Sequence, residues 1–296
     1  MNSLLVNAKN VLSPDNDFAL EFYGYNFTSS RIEKKLYVKV PFAKKEFHDN
    51  QIILDDNKLN LISGALNNSF LSFFFSDRYY LYDISFRDTV SAKSIGFNFV
   101  DLKDSTFLEP FQAFKPFSAV GINPACKLVE KMQEIMFLQK PTYNPLSMIG
   151  VVYNGTEITS LKSYIRFNQE ETPTSLHRGI IIKRIVKAMS KNNNSVEYFA
   201  KFSEKFEKVG FIFYFIGIDS YKDGSERYKL YFRILDKNNE YHKNLKGITA
   251  LLSQFGFNFN NDIEDIFNQH NNGIWGLAVS TIDFNSVNGV QLYLYP

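Results

Sequence analysis

The sequence predicts an α+β fold in which five β-hairpins, each followed by helix, close into a ten-stranded antiparallel β-barrel with the helices outside. Three observations predict it. A short strand-like pattern recurs at nearly constant spacing. A second strand-like run precedes each copy across a polar turn. Segments with apolar residues at three-to-four spacing lie between the hairpins. No domain linker interrupts the series, so residues 1–296 read as a single domain.

The recurring pattern is KKLYVKV near residue 35, LKSYIRF near 162, YKLYFRI near 229 and VQLYLYP at the C-terminus, with a weaker copy, AKSIGFNFV, near 93. Aligning Lys35, Lys93, Lys162, Lys229 and Gln291 gives steps of 58, 69, 67 and 62 residues. Each copy is the second strand of a hairpin. The first strands are ALEFYGYNF (19–27), YLYDISF (80–86), IGVVYNG (149–155), GFIFYFIGI (210–218) and WGLAVSTI (275–282). The turns TSSRIE, RDTVSA, GTEITS, DSYKDGSE and DFNSVNG separate them. Helices are predicted at 127–139, 177–190, 195–209 and 243–256, with a weaker candidate across 41–69. Ten sequential antiparallel strands close more comfortably than they stay open, and a ring of that size encloses a lumen.

Strand side chains alternate between faces. One face carries Lys35, Tyr37 and Lys39, then Lys162, Tyr164 and Arg166, then Lys229, Tyr231 and Arg233, with Gln291, Tyr293 and Tyr295 on the last strand. The other carries Leu36, Val38 and Val40, then Ser163, Ile165 and Phe167, then Leu230, Phe232 and Ile234. If helices cover the apolar face, the cations and tyrosines point into the lumen. Unpaired buried cations cost several kcal/mol each. Glu21 and Asp83 offset only a few, so the remainder call for an anion such as a diphosphate. A half-exposed sheet showing Lys, Arg and Tyr to water accounts for any single hairpin; the same order in three hairpins favours the lumen.

Composition narrows the classes. The 30 Phe and 17 Tyr supply much flat, rigid apolar surface. A net charge of +2 gives no global attraction for nucleic acid or membrane. One cysteine, Cys126, excludes internal disulfides and thiolate metal clusters. The opening MNSLLVNAKN has no signal-peptide pattern, and no apolar run reaches membrane-spanning length. A soluble cytoplasmic protein is expected. No HExxH or DDxxD spacing occurs; DDNKL (55–59) reads as a solvated connector and NNDIED (260–265) as a helix start. HRGIIIKRIVKAM reads as an exterior barrel helix, and Trp275 as core or acceptor pocket.

ALEFYGYNFTSSRIEKKLYVKV, GTEITSLKSYIRF and GIWGLAVSTIDFNSVNGVQLYLYP resemble the soluble aromatic prenyltransferases of the αββα (ABBA, or PT) barrel, nearest to the bacterial indole/cyanobactin-type branch. The resemblance spans about residue 19 to 296 as a pattern. It implies that Lys35, Lys93, Lys162 and Lys229 bind an allylic prenyl diphosphate, with Arg166 and Arg233 extending the cluster. Tyr37, Tyr164, Tyr231 and Tyr293 would shield the allylic cation. Glu21, on a face shared with Tyr23 and Tyr25, would sit beside the acceptor as the catalytic carboxylate. Gln291 stands where several relatives have a cation. The implied reaction moves a dimethylallyl or similar group onto an electron-rich aromatic acceptor (an indole, a phenol or an aromatic peptide side chain). No metal site and no obligatory cofactor are implied, Mg²⁺ being compatible with the diphosphate; nor is a nucleic-acid or membrane partner. Two other functions remain open: a non-catalytic barrel that binds a hydrophobic anion, and single-stranded nucleic-acid binding on an open Lys/aromatic face.

Overall fold

The computed structural model describes residues 19–28, 31–41, 75–86, 90–99, 110–114, 118, 126–137, 146–154, 157–167, 175–190, 192–234, 241–254, 256–257, 260–269, 273–284 and 286–296. Ten strands alternate in hairpins: β1 (Ala19–Phe27) with β2 (Ile32–Pro41), β3 (Phe75–Phe86) with β4 (Val90–Phe99), β5 (Leu146–Asn154) with β6 (Glu157–Arg166), β7 (Phe211–Tyr221) with β8 (Glu226–Ile234), and β9 (Ile274–Thr281) with β10 (Gly289–Leu294). Each strand pairs antiparallel with its chain neighbours, and β10 pairs back onto β1, the strand order of a closed barrel. The helices are α1 (Pro110–Phe114), α2 (Cys126–Phe137), α3 (Ser175–Met189), α4 (Asn193–Lys208), α5 (Tyr241–Gln254) and α6 (Asn260–Gln269).

The period-two pattern decides what each face meets. Leu36, Ile165 and Phe232 are fully buried in the main core, together with Ile182 and Ile185 of α3 and Phe199, Phe202 and Phe206 of α4. Phe206 stacks on Phe232 with ring centroids 4.6 Å apart. Each such buried side chain contributes about 1.5–3 kcal/mol. The Asn192 side chain starts α4 by accepting the Asn194 amide at 2.9 Å. Gly210, at φ 87°, then turns the chain into β7, a backbone conformation that a side chain would strain. Buried Arg178 of α3 donates to Glu207 of α4 at 2.7 Å, fixing the two helices to each other.

Several expected boundaries move. β7 continues to Tyr221, so Asp219 lies inside a strand rather than in the turn that follows. β3 begins at Phe75, five residues before the expected start. β2 runs to Pro41, and the helix candidate that follows, together with DDNKL, falls outside the described residues. NNDIED does open a helix, α6. No described helix is long and apolar enough to cross a membrane.

One irregularity repeats. The register slips between Leu20 and Phe22, between Leu146 and Met148, and between Phe213 and Phe215, each opposite the step from the second-strand tyrosine to the next residue. In the last hairpin Tyr293 pairs with Gly276 and Leu294 with Ile274, leaving Trp275 in the same place. Glu21, Ser147, Tyr214 and Trp275 are thus equivalent bulge residues in four hairpins. A bulge breaks strict alternation and re-aims the side chain it holds.

Candidate active site

The inward face begins with a pairing that recurs in three hairpins: Lys35 opposite Gly24, Lys162 opposite Gly150 and Lys229 opposite Gly217. In the last hairpin Gln291 stands opposite Ala278. A long side chain thus faces a small one across each ladder, and over Gly24 and Gly217 the space a side chain would take is filled by the rings of Tyr37 and of Tyr231 and Tyr164.

The basic residues gather around one carboxylate. Asp219 is 2% exposed and in register with both Lys162 and Arg227. Arg227 donates to Asp219 Oδ2 from Nε at 3.0 Å and from Nη2. Burial alone would raise the Asp219 carboxyl, but Lys229, Arg227 and Lys162 outweigh it and hold it at about 2. For Lys229 the balance is reversed. Burial pushes its ammonium well below the ordinary lysine range, Arg227, Lys162 and Lys35 push the same way, and Asp219 opposes them. Lys162, Lys229 and Arg227 therefore gather around Asp219, and Lys35 lies close enough to act on Lys229. Ser160, one inward step from Lys162, has a buried hydroxyl with no hydrogen-bond partner among the described residues. Such a group cradles a polyanion at little cost in reorganisation.

Next along the strands stand the tyrosines. Tyr164 and Tyr231 have ring centroids 5.6 Å apart, Tyr231 and Tyr293 6.0 Å, and Tyr293 and Tyr37 5.3 Å. Tyr231 donates to the Tyr164 hydroxyl at 3.4 Å, and Gln291 Nε2 donates to the Tyr37 hydroxyl. Burial raises the Tyr231 and Tyr293 hydroxyls well above the ordinary tyrosine range, so both rings stay neutral phenols. These rings form a cluster separate from the main core, with Phe22, Phe215 and Trp275 against it. Trp275 lies 5.0 Å from Phe22 and 5.6 Å from Tyr293, on the inward side. Electron-rich faces in a desolvated site stabilise a cation by about 2 kcal/mol or more each.

The expected residues fall into four groups. Lys35, Lys162 and Lys229 come together, as do the four tyrosines. Arg166 and Arg233 share the inward face but stand four residues beyond Lys162 and Lys229, roughly 13 Å along the strand, with the tyrosines between. Lys93 lies at a register shift in β4, where the side chains, like that of Asp83 in β3, lie outside the described residues. The expectation that Glu21 shares a face with Tyr23 and Tyr25 is corrected. Phe22 opposes inward Tyr37, while Tyr23 and Tyr25 belong to the main core on the opposite face. Glu21 itself occupies the bulge, half-buried.

Sequence reasoning missed Asp219, Arg227 and the ladder glycines. Arg227 was within reach, because it lies two residues before Lys229 and so shares its face. Among the described residues no cluster of three His, Cys, Asp or Glu forms a metal site.

Neither a family model nor a curated protein matches the sequence. Solved structures do match the fold. AnaPT from Neosartorya fischeri aligns over 93% of this chain and 78% of its own, at 9% identity and a TM-score of 0.57. The 5-dimethylallyltryptophan synthase from Streptomyces coelicolor aligns over 92% of this chain and 80% of its own, at 14% identity and a TM-score of 0.50. The chain has the fold of the ABBA-type aromatic prenyltransferases.

Proposed function

We propose that this protein transfers a prenyl group from an allylic diphosphate to an electron-rich aromatic acceptor. The observation that carries the reading is the adjacency of two unlike tiers in one lumen: Lys162, Lys229 and Arg227 around Asp219 with Lys35 beside them, then four mutually packed tyrosines. Heterolysis of an allylic C–O bond makes an anion and a carbocation together. Lys35, Lys162, Lys229 and Arg227 would hold the departing diphosphate, with Ser160 as a further donor. The tyrosine faces would stabilise the carbocation and exclude water. The acceptor ring then forms a C–C bond to the cation and loses a proton, releasing diphosphate. Any Mg²⁺ would arrive with the diphosphate rather than in a carboxylate cage.

Glu21 would take that proton. Its support is the repeated bulge. Trp275 packs onto Phe22, and Tyr214 lies against Phe215 at 4.3 Å, so two equivalent bulge residues reach inward rings. Glu21 holds the same place in the first hairpin. The lumen would take an indole, a phenol or an aromatic peptide side chain in contact with Trp275 and Phe22.

The test is mass spectrometry of the protein incubated with dimethylallyl diphosphate and a panel of indoles and phenols. A product heavier by one prenyl group supports the reading. Tight diphosphate binding with no product across the panel sinks it in favour of a barrel that sequesters a hydrophobic anion.

A further inference from the structure

Asp219 is a buried carboxylate among the cations, and heterolysis of an allylic diphosphate needs no anion there. It is the middle member of a cross-strand row: Lys162 of β6, Asp219 of β7, Arg227 of β8. Neighbours in such a row have Cβ atoms about 5 Å apart. Lys229 lies one inward step further along β8. Both hydrogen bonds from Arg227 end on Oδ2, and among the described residues Oδ1 accepts none. The Arg227 guanidinium also lies 6.0 Å from the centre of the Tyr221 ring, a second contact on β7. Lys229 makes no hydrogen bond among the described residues, so what it receives from Asp219 is charge alone. A diphosphate drawn to Lys162, Lys229 and Arg227 therefore comes to rest beside an ionised carboxylate. Two anions side by side away from water repel, and the diphosphate has to share the Arg227 fork with Oδ2.

We propose that Asp219 is a resident counter-anion: it holds the Arg227 fork in place in the empty site and limits how tightly the site grips a diphosphate. The inference rests on the prenyl-transfer reading for why release matters, though not for the effect on anion affinity. Without a ligand, Asp219 offsets the cost of desolvating Arg227, a cost an unpaired guanidinium would impose on the fold. With a ligand, the same carboxylate competes with it. A cradle of cations alone would keep the diphosphate set free by heterolysis, and its departure would then set the turnover rate. A neutral residue at this place could orient Arg227 but could not compete.

The test is isothermal titration of the whole protein with inorganic pyrophosphate in buffer free of divalent cations. Asp219→Asn keeps an acceptor for Arg227 and removes the charge. It should bind pyrophosphate about tenfold or more tightly than the wild type, the gain of one charge-assisted contact no longer shared. Because this variant leaves Arg227 without its counter-charge, a second pair is titrated: Arg227→Gln and Arg227→Gln/Asp219→Asn. The double variant has lost both charges, and it should bind more tightly than Arg227→Gln. If Asp219→Asn does not fold, this pair alone decides. Unchanged or weaker binding on removal of the carboxylate, in either pair, would overturn the inference and make Asp219 only a structural partner of Arg227. In turnover with dimethylallyl diphosphate and an accepted aromatic, Asp219→Asn should lower KM and kcat together, and added pyrophosphate should inhibit it at lower concentration than the wild type. If removing the carboxylate tightens pyrophosphate binding but the wild type prenylates nothing, the counter-anion role stands and the prenyl-transfer reading falls. Product formation without tightening sinks the counter-anion role alone.

Discussion

At the scale of single residues, the site depends on like charges held close together away from water. Lys162 is 7% exposed and in register with Asp219, so its ammonium is already desolvated and aimed. Lys162→Ala should weaken inorganic pyrophosphate binding by about 1.5–3 kcal/mol, or roughly 10- to 150-fold, read by calorimetry. The fold should persist, because removing one cation from a like-charged group relieves repulsion in the empty protein. Glu21→Gln should leave that affinity unchanged and lower turnover on an accepted aromatic by about 10²–10⁴-fold. Normal turnover with reduced stability would make Glu21 a structural partner instead. The lysines and tyrosines were legible in the sequence because alternation fixes their face wherever the ladder is regular. Asp219 was not. It follows the apolar run GFIFYFIGI and opens a polar stretch, so local chemistry assigns it to the turn. Only the pairing with Arg227 and Lys162 extends the strand over it.

At the scale of elements, the hairpin repeat carries two devices, one readable and one not. Hairpins, their order and the helices between them follow from apolar periodicity. The bulges leave no trace in composition, since one extra residue changes neither hydrophobicity nor length noticeably. Strict alternation accordingly groups Glu21 with Tyr23 and Tyr25, which face the main core, and the slip between Leu20 and Phe22 takes Glu21 out of that alternation. The ladder glycines were visible as letters, but their reason was not. A Cβ on Gly24 would sit 2.6 Å from Tyr37 Cε2 and 3.2 Å from Gln291 Nε2. Tyr37 cannot yield freely, being packed on Tyr293 and hydrogen-bonded to Gln291. Gly24→Ala should therefore destabilise the protein by about 1–3 kcal/mol through overpacking. Gly179→Ala in α3, where an added Cβ meets nothing within 4 Å, is the matched control and should be neutral or stabilising. Chemical denaturation midpoints decide between them. An unchanged midpoint in Gly24→Ala would mean that the tyrosine tier is looser than its packing indicates.

At the scale of the whole molecule, a ring of strands concentrates like charge where water is scarce, and that couples ligand binding to protons. Lys229 shows the coupling most directly, being a cation among cations. Burial, followed by Arg227, Lys162 and Lys35, lowers its pKa well below the ordinary lysine value, and Asp219 alone opposes the shift. A bound diphosphate adds negative charge beside it and raises that pKa again. The sign follows directly. Below the free protein's Lys229 pKa the group is charged in both states, so binding takes up no proton and affinity does not vary with pH on its account. Between the depressed free value and the raised bound value, each binding event takes up a proton, and affinity falls as pH rises. Asp219 adds nothing in that range, since its carboxyl is held at about 2 and stays ionised. Pyrophosphate titrations should thus show affinity declining toward alkaline pH, beginning below the ordinary lysine range. In buffers of different ionisation enthalpy they should report net proton uptake once pyrophosphate's own ionisation is subtracted. In Lys229→Arg, whose guanidinium stays charged throughout, both the decline and the uptake should disappear while binding persists. A decline that survives in Lys229→Arg would mean that another group carries the linkage.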